Sequence, residues 1–434
     1  MRRVAIIGSG ISGLAVAHGL KDRAHVTLFE SGGHFGGHTH TVDVTLDGHT
    51  HGVDTGFLVL NERTYPRLLA LFEQLGVAIA PSDMSFSVQV PDIGLEWSGS
   101  DLAGVFAQRR NLLRPGFWRM LNDILRFNRL TTAIASRGED APMSEPIGDF
   151  LDRHRFSAQF RDWYFLPMIG CIWSCPTDQM LHFPVATLIR FCHNHGLIQV
   201  ANRPQWYTVR GGARHYVEKI VAGVPDARLN CPVRGVRRLP PGSGSAGVWV
   251  DSERGGERFD EVVFACHTDQ ALHLLADASE AERSVLGAIR YQPNRAVLHT
   301  DRSVLPGRER AWASWNYERA ADGDREQARV CLHYLLNRLQ PLPFTTPLVV
   351  SLNPVSAPRA DSVIGEYEYD HPIFDLAAIA AQKLVPGLQG VAHTWFCGAW
   401  TRYGFHEDGL MSGEAVVRGL VDAWAAEGLR MDAA

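Results

Sequence analysis

Val4-Ala5-Ile6-Ile7-Gly8-Ser9-Gly10-Ile11-Ser12-Gly13, followed by Thr27-Leu28-Phe29-Glu30 and then Gly36-Gly37, is the stretch from which the architecture can be read. It has the grammar of a strand, a glycine turn, a helix from Leu14 to Leu20, a second strand and an acidic end. Gly8 suits the tight turn, Gly10 lets a pyrophosphate approach the backbone, and Gly13 lets the helix pack close to the strand. The free N–H groups and dipole of the helix start favour the negative charge of a pyrophosphate. Glu30 stands 17 residues after Gly13, placed to accept hydrogen bonds from ribose hydroxyls. The unit therefore predicts a site for the ADP half of a dinucleotide.

The rest of the composition bounds the answer. The chain has 434 residues, enough for two or three domains or one interleaved unit. Its 45% hydrophobic and 21% charged content is that of a soluble globular protein, and a net charge of −5 gives no basis for nucleic-acid binding. No apolar stretch approaches the length of a membrane span. The seven cysteines are odd in number and scattered, which suits a reducing cytoplasm. Cys171 and Cys175 lack the spacing of a redox pair or zinc knuckle and read as buried thiols. Of 42 basic residues only Lys21, Lys219 and Lys383 are lysines, which limits lysine-dependent chemistry.

Two later blocks repeat the nucleotide-binding grammar. In the first, Arg210-Gly211-Gly212 opens a helical stretch from Ala213 to Ala222. A segment from Arg228 to Val233, a turn at Pro240 to Gly247, and strands at Val248-Trp249-Val250 and Glu261 to Ala265 follow. In the second, Thr394-Trp395-Phe396-Cys397-Gly398 reads as a buried strand, and Tyr403 to Gly409 leads into an apolar helix from Leu410 to about Ala425. The intervening segments lack this grammar and are richer in aromatic residues. The expected organisation is a cofactor domain from 1–65, 205–275 and 386–430, woven into a substrate domain from 66–204 and 276–385.

Together these blocks resemble the FAD-dependent amine oxidase and phytoene desaturase superfamily. The resemblance implies an α/β fold: a Rossmann-like FAD-binding domain of the glutathione reductase-like, amine oxidase type, interleaved with a mixed-sheet and helical substrate domain. The ending Gly404 to Gly413 is similar to a narrower bacterial group resembling flavoproteins that desaturate or isomerise fatty acyl chains. The family usually carries Arg-x-Gly-Gly-Arg after the second strand; here His34-Phe35-Gly36-Gly37-His38 replaces both arginines. The implied set around non-covalent FAD is Gly8, Gly10, Ile11, Ser12, Gly13, Glu30, Ser31, Gly36, Gly37, His38, Thr55, Gly56, Phe57, Val233, Gly398, Asp408, Gly409, Leu410 and Met411. In it, Thr55-Gly56-Phe57 passes beside the flavin ring and Val233 meets adenine through its backbone. A helix starting near Leu410 would turn its N-terminal N–H groups toward the ring, with Asp408 as a neighbour of the flavin, as the helix N-cap, or both.

The chemistry implied is hydride transfer from a substrate carbon to flavin N5. Amine oxidases of the superfamily commonly set a lysine from the substrate domain beside N5, and neither aromatic segment here supplies one before Lys383. An apolar or acyl-lipid substrate is therefore expected, desaturated at a fatty acyl chain. Double-bond isomerisation, amine oxidation and a non-catalytic FAD-binding role beside a lipid-modifying enzyme remain alternatives. Glu407 and His406 are the candidate proton-transfer residues, with Glu407 equally readable as fixing a turn. Leu112 to Leu130 reads as an amphipathic helix, with Leu113, Phe117, Met120, Leu121 and Ile124 on one face and Arg119, Arg126 and Arg129 on the other. It suits either a core helix with solvated arginines or a helix lying on the inner face of a membrane. The histidines at 34, 38, 40, 49 and 51 divide between a loop and a hairpin, so no metal site is expected. Cys397 reads as part of a buried strand, and the oligomeric state is not legible.

Overall fold

A computed structural model describes residues 1–137, 145–173, 180–197, 204–240, 246–320 and 330–432; Cys175 lies outside them. The strands Arg3–Ile7, His25–Phe29 and Glu261–Phe264 carry near-continuous apolar runs and are buried along almost their whole length. Such runs belong to a parallel sheet covered on both faces. They form its centre, in the order Asp226–Arg228, His25–Phe29, Arg3–Ile7, Glu261–Phe264, Thr394–Phe396, all parallel. Alternate side chains feed two separate cores. Val4 and Ile6 pack with Leu14 and Val263 on one face, while Ala5 and Ile7 pack with Phe264, Leu275 and Leu286 on the other.

The helix Ile11–Leu20 covers the first face and is crossed by the long helix His406–Asp432. Glycines set this approach. A Cβ on Gly413 would lie 2.4 Å from the Ser12 carbonyl oxygen, and one on Gly409 would lie 2.7 Å from Ile11 Cγ2. A Cβ on Gly13 would lie 2.0 Å from the Gly8 carbonyl oxygen, which enforces the helix–strand contact expected of that position. Three segments far apart in sequence thus close around the fingerprint.

A second, seven-stranded sheet runs Val363–Glu368, Arg295–His299, Val349–Leu352, Cys331–Leu335, Trp315–Glu318, Phe86–Val90, Leu95–Ser98. Its pairings are antiparallel except for the parallel one between Phe86–Val90 and Trp315–Glu318. The strand Trp206–Val209 pairs with both Leu60–Asn61 and Ile79–Ser82 and so links the chain's early and middle segments. The α/β architecture is the one expected, with the parallel sheet assembled from separated segments and a mixed sheet beside it. Helices Pro115–Arg137, Ile147–Arg153, Leu166–Trp173 and Val185–Asn194 enclose an aromatic core of Phe127, Phe150, Phe160, Phe165, Phe183 and Phe191.

Two element boundaries depart from expectation. The amphipathic helix starts at Pro115, after a 3-10 turn at Arg109–Leu113, because proline at a helix start needs no N–H partner. Leu113 therefore leaves the apolar face and is exposed, whereas Phe117 and Met120 are fully buried. The closing helix starts at His406, four residues before Leu410. Asp408 lies inside its first turn and accepts a hydrogen bond from the Phe405 N–H at 3.0 Å, so it is not the N-cap. This bond stabilises a helix start that polar His406-Glu407-Asp408 conceals from a hydrophobic pattern.

Gly413→Ala is expected to destabilise the FAD-loaded protein by about 1–3 kcal/mol, through a clash with backbone that cannot rotate away. Denaturant unfolding measures this; unchanged stability would mean that the helices can part without loss.

Candidate functional site

All strands of the parallel sheet run the same way, so Gly8, Glu30, Ala265 and Cys397 emerge at one edge. Ligands bind parallel α/β sheets at this carboxyl edge. The Gly8 N–H donates to the Phe29 carbonyl at 2.9 Å and closes the turn, with Gly8 at φ +103°. Ser9 holds the second strand to the loop: its N–H and hydroxyl donate to Glu30 Oε2 at 3.1 and 2.5 Å. The Gly36 N–H donates to Ser9 Oγ at 3.1 Å, which draws the Gly36-Gly37 loop over the fingerprint. Glu30 Oε1 accepts the Gly32 N–H at 2.8 Å, beside exposed Ser31, and the carboxylate retains lone pairs for further donors.

The geometry fits an anionic dinucleotide in two ways. No side chain caps the helix Ile11–Leu20, so its first-turn N–H groups are not claimed by one. A Cβ on Gly10 would meet no protein atom within 4 Å, which leaves the backbone open to a close approach. The segment expected beside adenine is equally ordered. The Glu30 N–H donates to Arg228 O and the Cys231 N–H to Glu30 O, at 2.9 and 2.8 Å, which sets Val233 at the start of strand Val233–Arg238 beside the Glu30 segment.

On the other side of the loop, Thr55-Gly56-Phe57 runs against His38-Thr39-His40. The Phe57 N–H donates to His38 O at 2.8 Å, and a Cβ on Gly56 would lie 2.2 Å from that same oxygen. Thr55 Oγ1 lies 2.6 Å from the Tyr369 hydroxyl. Phe57 stacks on the His406 ring at 3.8 Å between centroids. His406 Nε2 is 2.9 Å from both Thr39 Oγ1 and the Tyr216 hydroxyl. Burial pushes His406 down to about 3, so its ring is neutral at physiological pH.

His38 sits where the family prefers arginine. It packs against His371, His267 and Tyr369, with ring centroids at 5.5, 6.3 and 5.2 Å. Its Nε2 has no hydrogen-bond partner among the described residues, an orphaned polar atom in the wall of the cradle. Burial holds His38 well below the ordinary imidazole value, aided by His371, and lowers His371 to about 4. A neutral imidazole can donate one hydrogen bond, where arginine would bring a fixed charge and five donors. His34 stacks on His40 at 4.0 Å and its Nε2 lies 3.1 Å from Gly37 O, so it also stiffens the loop.

The closing block divides its duties. Gly398 donates its N–H to Ser412 Oγ at 3.2 Å, tying the last strand to the last helix. Gly409 and buried Leu410 pack against the first helix, and Met411 lies 3.9 Å from Arg402. Burial raises Asp408 to about 6. Glu407 turns to the helix Pro66–Leu75, where its oxygens accept the Arg67 and Leu68 N–H groups at 2.9 and 3.0 Å. Pro66 has no N–H and Tyr65 offers no side-chain cap, so Glu407 serves both remaining donors of that turn. Both its oxygens are thus engaged in joining two helix starts. Thr39, Tyr216, His267, His371 and Tyr369 complete the site without having been expected in it. Of these, His267 alone carried a signal, since it follows a central parallel strand at the carboxyl edge.

The family model described as flavin containing amine oxidoreductase matches residues 11–320. Protoporphyrinogen oxidase 2, chloroplastic/mitochondrial, of Arabidopsis thaliana is 27% identical over 183 residues, which cover 39% of this chain. The match spans about a third (32%) of that relative's length. The structure of a CLA-producing fatty acid isomerase from P. acnes superposes with a TM-score of 0.66 at 17% identity, covering 96% of this chain and 98% of the other. A putrescine oxidase bound to putrescine superposes with a TM-score of 0.67 at 15% identity, covering 97% and 99%. At these identities the likeness is one of fold.

The histidine cluster carries a pH dependence with a definite sign. His371 and His406 have folded values near 4 and 3 against 6.5 for an ordinary histidine, so the unfolded chain binds more protons between these limits. Their contribution to stability is complete above about pH 6.5 and is lost as the pH falls toward those folded values. The thermal midpoint is expected to drop between pH 7 and pH 5, with a shallower drop in His371→Gln and His406→Gln. Parallel pH profiles for parent and variants would contradict it.

Proposed function

From the premise that this chain belongs to the flavin containing amine oxidoreductase family, and so is an FAD-dependent oxidoreductase, we propose that its substrate is an apolar carbon chain, most simply a fatty acyl group that it desaturates. The observation that carries this reading is the aromatic core of the helical segment, which packs directly against Tyr403 and Phe405. Phe191 stacks on Phe405 at 4.9 Å, one residue from His406. An acyl chain entering here would be enclosed by apolar side chains that exclude water.

The lysines argue against amine oxidation. Lys21, Lys219 and Lys383 are all exposed, and Lys219 Nζ is bound to Leu75 O at 2.8 Å, at the end of a surface helix. Bound FAD would supply the hydride acceptor. The chain's own contribution would be to hold it through the Gly8–Gly13 loop, Glu30 and the uncapped helix, and to keep His406 neutral and fixed by Thr39, Tyr216 and Phe57. Residues 1–65, 205–275 and 386–430 would form the cofactor half, and 66–204 and 276–385 the substrate half. Isomerisation of an existing double bond is the second reading, favoured by the fold shared with the fatty acid isomerase over nearly the whole chain.

Anaerobic mixing with fatty acyl substrates separates these. Desaturation would bleach the flavin and give a product lighter by one H2; isomerisation would give a product of unchanged mass and no lasting bleaching. Bleaching by putrescine and not by any acyl substrate would overturn the proposal.

An acyl-lipid substrate also gives meaning to one surface. Leu113 is 86% exposed and Leu102 78%, beside half-exposed Leu112 and Trp118. Arg109, Arg110, Arg114 and Arg119 lie among them and make no ion pair among the described residues; Arg110 and Arg114 bond to the carbonyls of Gly94 and Ile93. Apolar side chains ringed by unpaired arginines suit an anionic bilayer surface. No described helix is long and apolar enough to cross a membrane. Neutralising Arg109, Arg110 and Arg114 together is expected to release the protein from phosphatidylserine vesicles in a sedimentation assay; equal retention of parent and variant would refute the docking surface.

A further inference from the structure

The seven-stranded sheet carries a polar cluster that shares no residue with the candidate site described above. Cys331 and His333 alternate along one strand and therefore share a face. Glu318, on the antiparallel neighbour Trp315–Glu318, lies directly opposite Cys331. Three potential ligand atoms converge there. His333 Nε2 is 3.0 Å from Glu318 Oε2, Cys331 Sγ is 3.4 Å from His333 Nε2, and Cys331 Sγ is 3.9 Å from Glu318 Oε2. Ligands at ordinary zinc distances in a tetrahedron stand about 3.4–3.6 Å from one another. Each observed separation falls within a few tenths of an ångström of that range.

The surroundings complete a metal-site pattern. His333 has its other nitrogen, Nδ1, 2.6 Å from Ser351 Oγ, which orients the ring. Ser351 is in turn 2.7 Å from His299 Nε2, and His299 Nδ1 accepts the Asp301 N–H at 3.1 Å. That last bond puts the His299 proton on Nε2, toward Ser351. A serine oxygen accepts two hydrogen bonds. It can therefore take the Nδ1 proton of His333 as well and leave the Nε2 lone pair directed at Cys331 and Glu318. His333 and Cys331 are buried, while the Glu318 side chain is 21% exposed and marks the way in.

We propose that Glu318, Cys331 and His333 bind a divalent cation of the zinc class, with a water molecule as fourth ligand. Sulfur and imidazole select a borderline ion over magnesium or calcium. Charge also balances: on binding, the Cys331 thiol gives up its proton to solvent, and thiolate plus carboxylate neutralise the two positive charges. The site would clamp the strands Trp315–Glu318 and Cys331–Leu335 side by side. It does not depend on the substrate assigned above.

Cobalt(II) is the probe. The FAD-loaded protein, freed of metal with a chelator, is titrated with cobalt(II) and followed by difference spectroscopy to the red of flavin absorption and in the near ultraviolet. The expected result is saturation at one equivalent, with four-coordinate visible bands and a thiolate-to-cobalt charge-transfer band. Cys331→Ser should abolish the charge-transfer band. Glu318→Gln and Ser351→Ala should each weaken binding by about 10-fold or more, with flavin content retained as the measure of folding. Absence of the charge-transfer band in the parent protein overturns the proposal whatever the variants do, as does an undiminished band in Cys331→Ser.

Discussion

Contact between the first helix and the last is the constraint on which the site depends. Ile11–Leu20 presents its open start to the dinucleotide edge, and His406–Asp432 brings its own start to the same place only because Gly409 and Gly413 let the two backbones nearly touch. Side chains at these positions would separate the helices, and the His406 stack on Phe57 and the Glu407 clamp on Pro66–Leu75 would shift with them. Backbone contact of this kind tolerates little adjustment, since neither partner has a rotamer to change.

Around that contact the protein uses neutral groups. Arginines in the Gly36-Gly37 loop would carry fixed positive charge into the cradle. Here His38, His371 and His406 are kept uncharged by burial, and the loop is held by stacking and by backbone hydrogen bonds. A pyrophosphate there would be attracted by the glycine loop and the helix dipole, with Glu30 left to accept from hydroxyl donors. Such a cradle offers shape and directed N–H groups in place of fixed charge, and its imidazoles contribute to stability while they remain unprotonated.

Much of the cofactor half was legible from local pattern. Parallel strands buried on both faces are written as apolar runs, and the glycines at 8 and 13 meet steric demands that nearby atoms impose. The start of the closing helix was not legible, because His406-Glu407-Asp408 breaks the apolar period and Asp408 stabilises the helix by reaching back to Phe405. Nor was the duty of Glu407, whose partners at Arg67 and Leu68 lie more than 300 positions earlier in the chain. Leu113 obeyed the helical period yet fell outside the helix, since Pro115 decides where the helix begins.

The sequence alone determined the fold class and the strand, glycine turn and helix of the first twenty residues, because these follow from spacings and steric limits within a few residues. Tertiary structure decided which polar groups meet. Whether a buried carboxylate serves chemistry or caps a helix, and whether cysteine, histidine and glutamate on neighbouring strands converge, depends on register between distant segments. That register is set by packing across the whole molecule, and no local pattern encodes it.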